Sequence, residues 1–315
     1  TLPEKVIPTF ARAIEFSKID VESCLNEVAV FADAVLDFSM RHQYVFVASW
    51  VIAADSRGYG ILDWRNGLGL KNLLARMNLH LADLLGDASN VYILDAAHWS
   101  ATISQMTSPK MWYAAKVPYS NAVFENAAMD MSAAINTLAG KSRKLIIVDL
   151  DNTLWGGVVG ETGWQGIRLG GHDFVGEAFC DFQRCLRALS RRGIQLAIVS
   201  KNDEVVALEA IDKHSEMLLQ RDDFAGWRIN WHDKAENIAS LVEELNLGLD
   251  SVVFIDDNPT ERDRVRGAFP QILVPEWPED PTAYASTLRK LNCFDTAALS
   301  NEDRMRTEMY ATERG

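Results

Sequence analysis

The sequence predicts a two-domain α/β protein with parallel strands in both domains. Strand-like apolar runs alternate with helical patterns along the chain, which is typical of helices layered on a parallel sheet. At 315 residues the chain is longer than one compact core usually allows. With 48% hydrophobic and 24% charged residues, the composition is that of a globular protein with an ample core.

The first part of the chain is expected to hold three long helices and two strands. In chain order we predict a helix over "VESCLNEVAVFADAVLDFSM", a strand "YVFVASWVIA", a helix "LGLKNLLARMNLHLADLLGD", a strand "VYILDA" and a helix "NAVFENAAMDMSAAINTLAG". A helix stop and a basic link, "GKSRK", follow, so we place the domain boundary between residues 1–140 and 141–315. The chain begins at Thr1 without a Met, and one interpretation is that the first domain lacks an N-terminal segment.

The second part contains three apolar runs that end in polar residues. They are "LIIVDLD", "LAIVSKN" and "SVVFIDDNP", and a lysine in "WHDKAENI" precedes the third run. In a parallel sheet, ligands bind at the carboxyl ends of the strands, so these polar residues are expected to converge on one place. The tail "SNEDRMRTEMYATERG" predicts a terminal helix capped by Ser300.

Charge and composition exclude several classes of partner. A net charge of -13 argues against nucleic acid or an anionic membrane, since either would need a basic surface. No apolar run approaches the roughly 18–20 residues of a membrane span, and the first residues lack the zones of a signal peptide. Four cysteines without a CxxC pair predict reduced thiols. We therefore expect a cytoplasmic protein.

The converging residues predict a phosphoryl-transfer site. Four carboxylates at one sheet edge would repel one another unless a divalent cation lies among them, and oxygen ligands favour Mg²⁺. A serine and a lysine beside them supply a hydroxyl donor and a positive charge for phosphate oxygens. Together these groups can form and hydrolyse an aspartyl-phosphate. The residues are Asp149, Asp151, Asp256, Asp257, Ser200 and Lys234.

The order and spacing of these residues resemble the haloacid dehalogenase (HAD) superfamily, whose motif DxDx[TV] corresponds to "DLDNT" here. The resemblance implies that Asp149 is the nucleophile and a Mg²⁺ ligand. Asp151 would be the general acid and base, with its backbone carbonyl on the metal. Ser200 would bind the phosphoryl group and Lys234 would neutralise it. Asp256 or Asp257 would complete the metal site, and the sequence leaves open which of the two does so.

The spacing between the motifs predicts a Rossmann-like HAD domain without a large cap. About 47 residues separate Thr153 from Ser200 and about 33 separate Ser200 from Lys234, which is too few for an inserted domain. The segment "WGGVVGETGWQGIRLGG" in the first interval is interpreted as a Gly-rich hairpin flap. A site without a lid would be open to a bulky, protein-borne substrate.

A narrower resemblance, to the FkbH-like branch of the HAD superfamily, covers nearly the whole chain. It is carried by "DLDNTLWGGVVGE", "GEAF" with "DFQ", "SKNDE", "RINW", "DKAENI", "ELNLGLDSVVFIDDNP" and "VPEWPEDP". The resemblance implies that the first domain is a flavodoxin-like α/β domain related to the SGNH hydrolases. Residues 1–140 contain no GDS-type serine motif, so either the hydrolase nucleophile is lost or its segment is absent from this chain.

For function, this resemblance implies a glyceryltransferase/phosphatase of polyketide biosynthesis. Such enzymes take the glyceryl unit of 1,3-bisphosphoglycerate, remove phosphate and load glyceryl onto the phosphopantetheine thiol of an acyl carrier protein. One alternative is a Mg²⁺-dependent HAD phosphatase acting on a small phosphorylated metabolite. A second alternative is a non-catalytic module that docks carrier proteins.

Acyl transfer to a thiol raises the question of an enzyme cysteine. Helical spacing predicts that Cys185 is part of the core and that Cys180 lies off the apolar stripe of its helix, and Cys24 is also predicted to be core. Cys293 follows Arg289 and Lys290, which are expected to lower its pKa. Cys293 is therefore the preferred candidate, and Cys180 is its competitor.

Five further residues are predicted to contact phosphate or substrate. Four of them adjoin the motif residues, and the fifth follows the flap. They are Asn152, Thr153, Lys201, Asn202 and His172. For His172, a position in a solvated loop without substrate contact is an equally supported interpretation. For Asn152, Lys201 and Asn202, the alternative roles are turn geometry or surface charge.

Overall fold

The chain forms two compact units. The computed structural model describes residues 2–52, 56–101, 103 and 105–296. One unit comprises Thr1–Ser132 and the other Ala133–Gly315. The division falls inside the helix Asn121–Leu138, whereas the sequence placed the boundary after Gly140. The predicted terminal helix capped by Ser300 lies outside the described residues.

The first unit contains two parallel strands, which confirms both strands predicted there. Strand β1 (Val45–Ala48) pairs with β2 (Val91–Leu94), with Val45 opposite Val91. The helices of this part of the chain are α1 (Pro8–Ile14), α2 (Val21–Ser39), α3 (Leu70–Leu85), α4 (Ala96–Ser100), α5 (Pro109–Ala115) and α6 (Asn121–Leu138).

The three long helices α2, α3 and α6 confirm the helical patterns of the sequence. In α3 the buried side chains are Leu70, Leu73, Met77, Leu81 and Leu85, which follow the spacing of a single helix face. This face packs against α2 in the core of the unit.

Among the residues described, no helix has both the length and the apolar character needed to cross a membrane. The relation of this unit to SGNH hydrolases stays a prediction.

The second unit is built on a parallel sheet of four strands in the order β5-β4-β3-β6. The strands are β3 (Leu145–Val148), β4 (Gln195–Ser200), β5 (Phe224–Ile229) and β6 (Val252–Ile255). The sequence predicted β3, β4 and β6 but not β5. In β5 the apolar pattern is interrupted by Gly226 and Arg228, which an edge strand tolerates better than a central one.

Both faces of this sheet are covered. Along β3, Ile146 and Val148 pack into one core cluster, whereas Leu145 and Ile147 pack into another, and all four are completely buried. This is the arrangement expected of a parallel sheet between two layers of helices. The helices are α7 (Val159–Thr162), α8 (Phe174–Arg191), α9 (Glu204–Lys213), α10 (Lys234–Glu244), α11 (Pro259–Ala268) and α12 (Tyr284–Arg289).

The intervals between the motifs contain no inserted domain, which confirms the predicted absence of a cap. Residues 154–199, all of them described, form α7, α8, most of β4 and loops, and residues 201–233 form α9, one 3₁₀ turn and β5. The predicted hairpin flap is wrong in its detail. A single antiparallel bridge joins Gly156 to Arg168, and one turn of helix, α7, lies between them. Closely spaced glycines weaken strand pairing in this segment.

Candidate active site

The sheet brings the predicted site residues to its carboxyl edge. Asp149 follows β3, Ser200 ends β4, and Asp256 and Asp257 follow β6. Lys234 opens α10, whose N-terminus is capped by the preceding aspartate. A pocket of about 190 Å³ opens at this edge, and its lining residues are Asp149, Asp151, Asn152, Ser200, Lys201, Lys234, Asp257, Asn258 and Glu261.

Lys234 forms a buried ion-pair network with two of the aspartates. Its Nζ lies 2.6 Å from Asp256 Oδ2 and 3.0 Å from Asp149 Oδ1, and only 3% of Lys234 is exposed. Burial disfavours the charged ammonium, but Asp149 and Asp256 outweigh this effect and raise the pKa of Lys234. Lys234 therefore supplies a positive charge to the pocket that it lines.

Three carboxylates are arranged to hold a cation. One oxygen each from Asp149, Asp256 and Asp257 lies within 4.8 Å of the others. Oxygen ligands of one Mg²⁺ are at most about 4.2 Å apart, so only a small inward movement is needed. Asp149 Oδ1 is buried and lies 3.0 Å from the Lys234 ammonium, with no further hydrogen-bond partner among the described residues, so it retains a lone pair for a cation. The donor set therefore fits Mg²⁺.

The charge balance of this cluster also favours a cation. Burial, followed by the negative charge of Asp149, raises the pKa of Asp256, and the same two causes raise the pKa of Asp257. In each case Lys234 lowers the pKa but does not offset both effects. One lysine is thus too little positive charge for three neighbouring carboxylates.

Asp151 is held separately by three hydrogen bonds. Its Oδ1 accepts from Trp155 Nε1 at 2.8 Å and from the Val159 backbone N–H at 3.1 Å, and its Oδ2 accepts from Asn202 Nδ2 at 2.8 Å. Burial nevertheless raises its pKa, so the protonated form is favoured more than in a solvated aspartate. A fixed carboxyl that readily holds a proton suits a general acid.

Two of the predicted contact residues support the aspartates and do not line the pocket. Asn202 holds the carboxylate of Asp151, as described above. Thr153 is completely buried, and its Oγ1 accepts from the Asp257 backbone N–H at 3.2 Å. Thr153 and Asn202 therefore position site residues rather than contact the pocket.

Asn152 and Lys201, by contrast, do line the pocket. Asn152 has a positive φ of 55°, and its Oδ1 accepts from the Gly157 N–H at 2.9 Å. Its backbone carbonyl accepts from the Tyr284 hydroxyl at 3.0 Å. Lys201 Nζ lies 2.6 Å from Glu261 Oε1 at the rim of the pocket.

The structure overturns the reasons for choosing either cysteine. Cys180 was expected off the core, but it is only 4% exposed and its Sγ lies 3.6 Å from the Glu216 carbonyl oxygen. Cys293 packs against the core, and burial raises its pKa to about 11, so the expectation that Arg289 and Lys290 lower it is wrong. In the described part of the chain, no cysteine lines the carboxylate pocket.

The other two cysteines and His172 lie away from the carboxylate pocket. Cys24 and Cys185 are buried, as expected. His172 has a positive φ of 62° and lines a different cleft, of about 600 Å³, together with Cys180. That cleft shares no lining residue with the carboxylate pocket. The structure therefore does not bring His172 into the site.

Sequence reasoning missed several residues that shape the site. Asn258 and Glu261 line the pocket, and Arg262 donates to the backbone carbonyls of Asp256 and Asp257. Asn258 caps α11, and Glu261 and Arg262 lie in its first turn, so all three closely follow the aspartate pair. Their closeness to the motif in sequence could have identified them. Nothing local in the sequence links Tyr284 to Asn152, which is 132 positions away.

A scan of protein-family models and a search of curated proteins gave no match. Among solved structures, the chain is similar to the N-terminal part of the protein BF1531 from Bacteroides fragilis, which contains a phosphatase domain and was crystallised in complex with Mg. The two are 35% identical with a TM-score of 0.77, and the alignment covers 87% of this chain and 74% of that one. The four-stranded parallel sheet of the second unit is consistent with a Rossmann-like HAD domain, and the chain belongs to the same family as this Bacteroides fragilis protein.

Proposed function

We propose that the protein is a Mg²⁺-dependent phosphatase in which Asp149 is the nucleophile. The observation that carries this proposal is the cluster of Asp149, Asp256 and Asp257 around a buried lysine at the carboxyl edge of the sheet. The Mg²⁺ in the related Bacteroides fragilis structure supports the choice of metal. Asp149, Asp256 and Asp257 would hold the ion, which would neutralise phosphate charge when bound. The carbonyl of Asp151 stays a predicted further ligand.

In the first chemical step, a carboxylate oxygen of Asp149 attacks the phosphorus atom of the substrate. An O–P bond to Asp149 forms, and the bond from phosphorus to the leaving oxygen breaks. Asp151 gives its proton to that leaving oxygen, a role that suits its raised pKa. Lys234 and Ser200 line the pocket where the phosphate oxygens would lie.

In the second step, the aspartyl-phosphate is hydrolysed. Asp151, now ionised, accepts a proton from a water molecule whose oxygen attacks phosphorus. The bond between phosphorus and Asp149 breaks, so inorganic phosphate leaves and both aspartates return to their starting states. The hydrogen bonds from Trp155 and Asn202 keep the Asp151 carboxyl in one position through both proton transfers.

The direct test is phosphate release from acetyl phosphate and p-nitrophenyl phosphate. We expect turnover with Mg²⁺, none with EDTA, and a loss of at least ~10³-fold in the Asp149→Asn variant, which keeps the side-chain shape but loses the nucleophile. Asp222→Asn, a change at an exposed aspartate, is the matched control and should retain full activity. Turnover that survives in Asp149→Asn would refute the assignment.

We also make a more specific proposal, that the protein transfers a glyceryl unit to an acyl carrier protein. It rests on the resemblance to the FkbH-like branch, and the absence of a cap domain is compatible with a protein-borne acceptor. Because no cysteine lines the pocket in the described residues, we propose that the carrier thiolate attacks the acyl carbon directly. A C–S bond would form as the C–O bond to the acyl phosphate breaks, and that phosphate would leave. The phosphate ester at carbon 3 would be hydrolysed through Asp149 in the two steps given above, which leaves a glyceryl thioester on the carrier.

This finer proposal is tested by mass spectrometry of the carrier. Incubation with Mg²⁺, 1,3-bisphosphoglycerate and a phosphopantetheinylated carrier protein should add one glyceryl unit to the carrier. Phosphate release without loading would favour a phosphatase of small metabolites. Neither activity, with retained binding of the carrier, would favour the non-catalytic docking module.

A further inference from the structure

A second and larger cleft adjoins the carboxylate pocket. Its volume is about 620 Å³, and it shares Asn152 and Asp257 with the smaller pocket. A molecule that places a phosphoryl group beside Asp149 therefore has this cleft directly next to it. The cleft is lined entirely by residues of the second unit.

The walls of this cleft have the composition of an organic-ligand site. Val175, Phe179, Pro281 and Tyr284 supply apolar surface. Polar groups line the rest of the cleft, and they come from the shared residues, Arg168, Glu279 and the backbone of three glycines, Gly156, Gly157 and Gly166. Ligand sites typically occupy about 300–1,000 Å³ and combine apolar walls with a few polar groups.

Arg168 is the cationic residue of this cleft, and Asp257 and Glu279 are its acidic residues. Its Nη2 donates to Asp173 Oδ1 at 2.7 Å, and its Nε also contacts Asp173, which caps α8. The backbone of Arg168 bridges Gly156, so the side chain is anchored beside the loop that carries the aspartates. Its Nη1 has no hydrogen-bond partner among the described residues and remains a donor for a ligand.

We propose that this cleft binds the organic part of the phosphorylated substrate. This inference rests on the proposed function, because it takes the phosphoryl group to lie in the carboxylate pocket. The substrate class is a phosphate ester or acyl phosphate whose organic part covers the apolar wall formed by Val175 and Phe179 and meets Arg168 with a hydrogen-bond acceptor. The cleft then sets preference among substrates, whereas the carboxylate pocket performs the chemistry.

The test compares the binding of 1-naphthyl phosphate and inorganic phosphate by calorimetry, with Mg²⁺ present and in the Asp149→Asn background, which prevents turnover. We expect naphthyl phosphate to bind at least ~10-fold more tightly than phosphate, because its ring buries the apolar wall. In Val175→Trp the added ring fills the cleft, so most of this preference should be lost. Val175→Phe is a milder version should the tryptophan disturb folding.

Ala178→Trp is the matched control. Ala178 is half-buried on the same helix, α8, but lines the separate cleft that contains His172. This variant should keep the preference of the parent within about twofold. The inference would be overturned by a parent protein that binds both probes equally, by Val175 variants that keep the preference, or by an equal loss in Ala178→Trp.

Turnover of 1-naphthyl phosphate by the protein with Asp149 intact separates this inference from the proposed function. Selective binding without any phosphate release would refute the phosphatase proposal and leave the cleft assignment standing. Phosphate release, together with Val175 variants that bind both probes as the parent does, would support the phosphatase proposal and refute the cleft assignment.

Discussion

Lys234 is the residue on which the charge balance of the pocket depends. It is 3% exposed and lies within ion-pair distance of Asp149 and Asp256. Burying charged groups is costly, and removing one partner leaves the others uncompensated. Without a cation in the cluster, Lys234 is the positive charge that faces these two buried carboxylates.

We expect Lys234→Met to destabilise the protein in EDTA by about 3–5 kcal/mol, because both carboxylates lose their counter-charge. Mg²⁺ should restore part of this loss, since the ion neutralises the same groups. Urea unfolding with and without Mg²⁺ measures both effects. Lys290→Met, at an exposed lysine, is the control and should change the free energy of unfolding by no more than ~0.5 kcal/mol. Equal losses in the two variants would contradict the account.

The thiol of Cys293 should be unreactive near neutral pH. Burial raises its pKa to about 11, so only ~0.1% is thiolate at pH 8, compared with about a quarter of a free cysteine. Alkylation by iodoacetamide, followed by peptide mass spectrometry, should be at least ~100-fold slower than in the urea-unfolded chain. The rate should rise as the pH approaches 11. Fast labelling at pH 8 would revive Cys293 as an acyl carrier.

At the scale of elements, two distant helices hold the loop that follows β3. Gln183 of α8 is completely buried, donates to the Leu154 carbonyl at 2.9 Å and accepts from the Leu218 N–H at 3.0 Å. Tyr284 of α12 donates to the Asn152 carbonyl from an aromatic cluster with Phe179, Phe182 and Trp277. Burial raises the pKa of Tyr284 to about 12, so its hydroxyl remains a donor at working pH.

Tyr284→Phe should therefore lower activity with little effect on folding. The change removes one hydrogen bond of about 0.5–1.5 kcal/mol, which frees the Asn152 carbonyl next to Asp151. We expect kcat/KM for phosphate release to fall about two- to tenfold. Tyr113→Phe, at an exposed tyrosine, should change nothing. A Tyr284→Phe variant with full activity would show that this hydrogen bond does not position the loop.

Element patterns explain which parts of the structure were predictable. Strands β3, β4 and β6 are apolar runs that a parallel sheet buries on both faces, so the sequence identified them. The burial of Cys180 was not predictable from one apolar stripe, because the segment near Glu216 covers a second side of α8. Such coverage by a distant segment is a tertiary effect that helical spacing does not contain.

At the scale of the whole molecule, the convergence of the motifs was predictable because the carboxyl ends of parallel strands meet at one edge. Asp149, Ser200, Lys234 and Asp257 do line one pocket. The supporting contacts of Thr153 and the substrate cleft beside Tyr284 were not predictable, since both depend on side-chain packing across more than 100 residues. The first unit follows its predicted helices and strands, and its relation to SGNH hydrolases stays a prediction.

The central claim is that Asp149 becomes phosphorylated in a Mg²⁺-dependent reaction. Borohydride reduces an aspartyl-phosphate to homoserine, so protein mixed with acetyl phosphate and Mg²⁺, quenched and reduced, can be mapped by peptide mass spectrometry. The account predicts homoserine at position 149, and none there when EDTA replaces Mg²⁺. Steady phosphate release with homoserine at Asp151, Asp256 or Asp257 in place of Asp149 would contradict it.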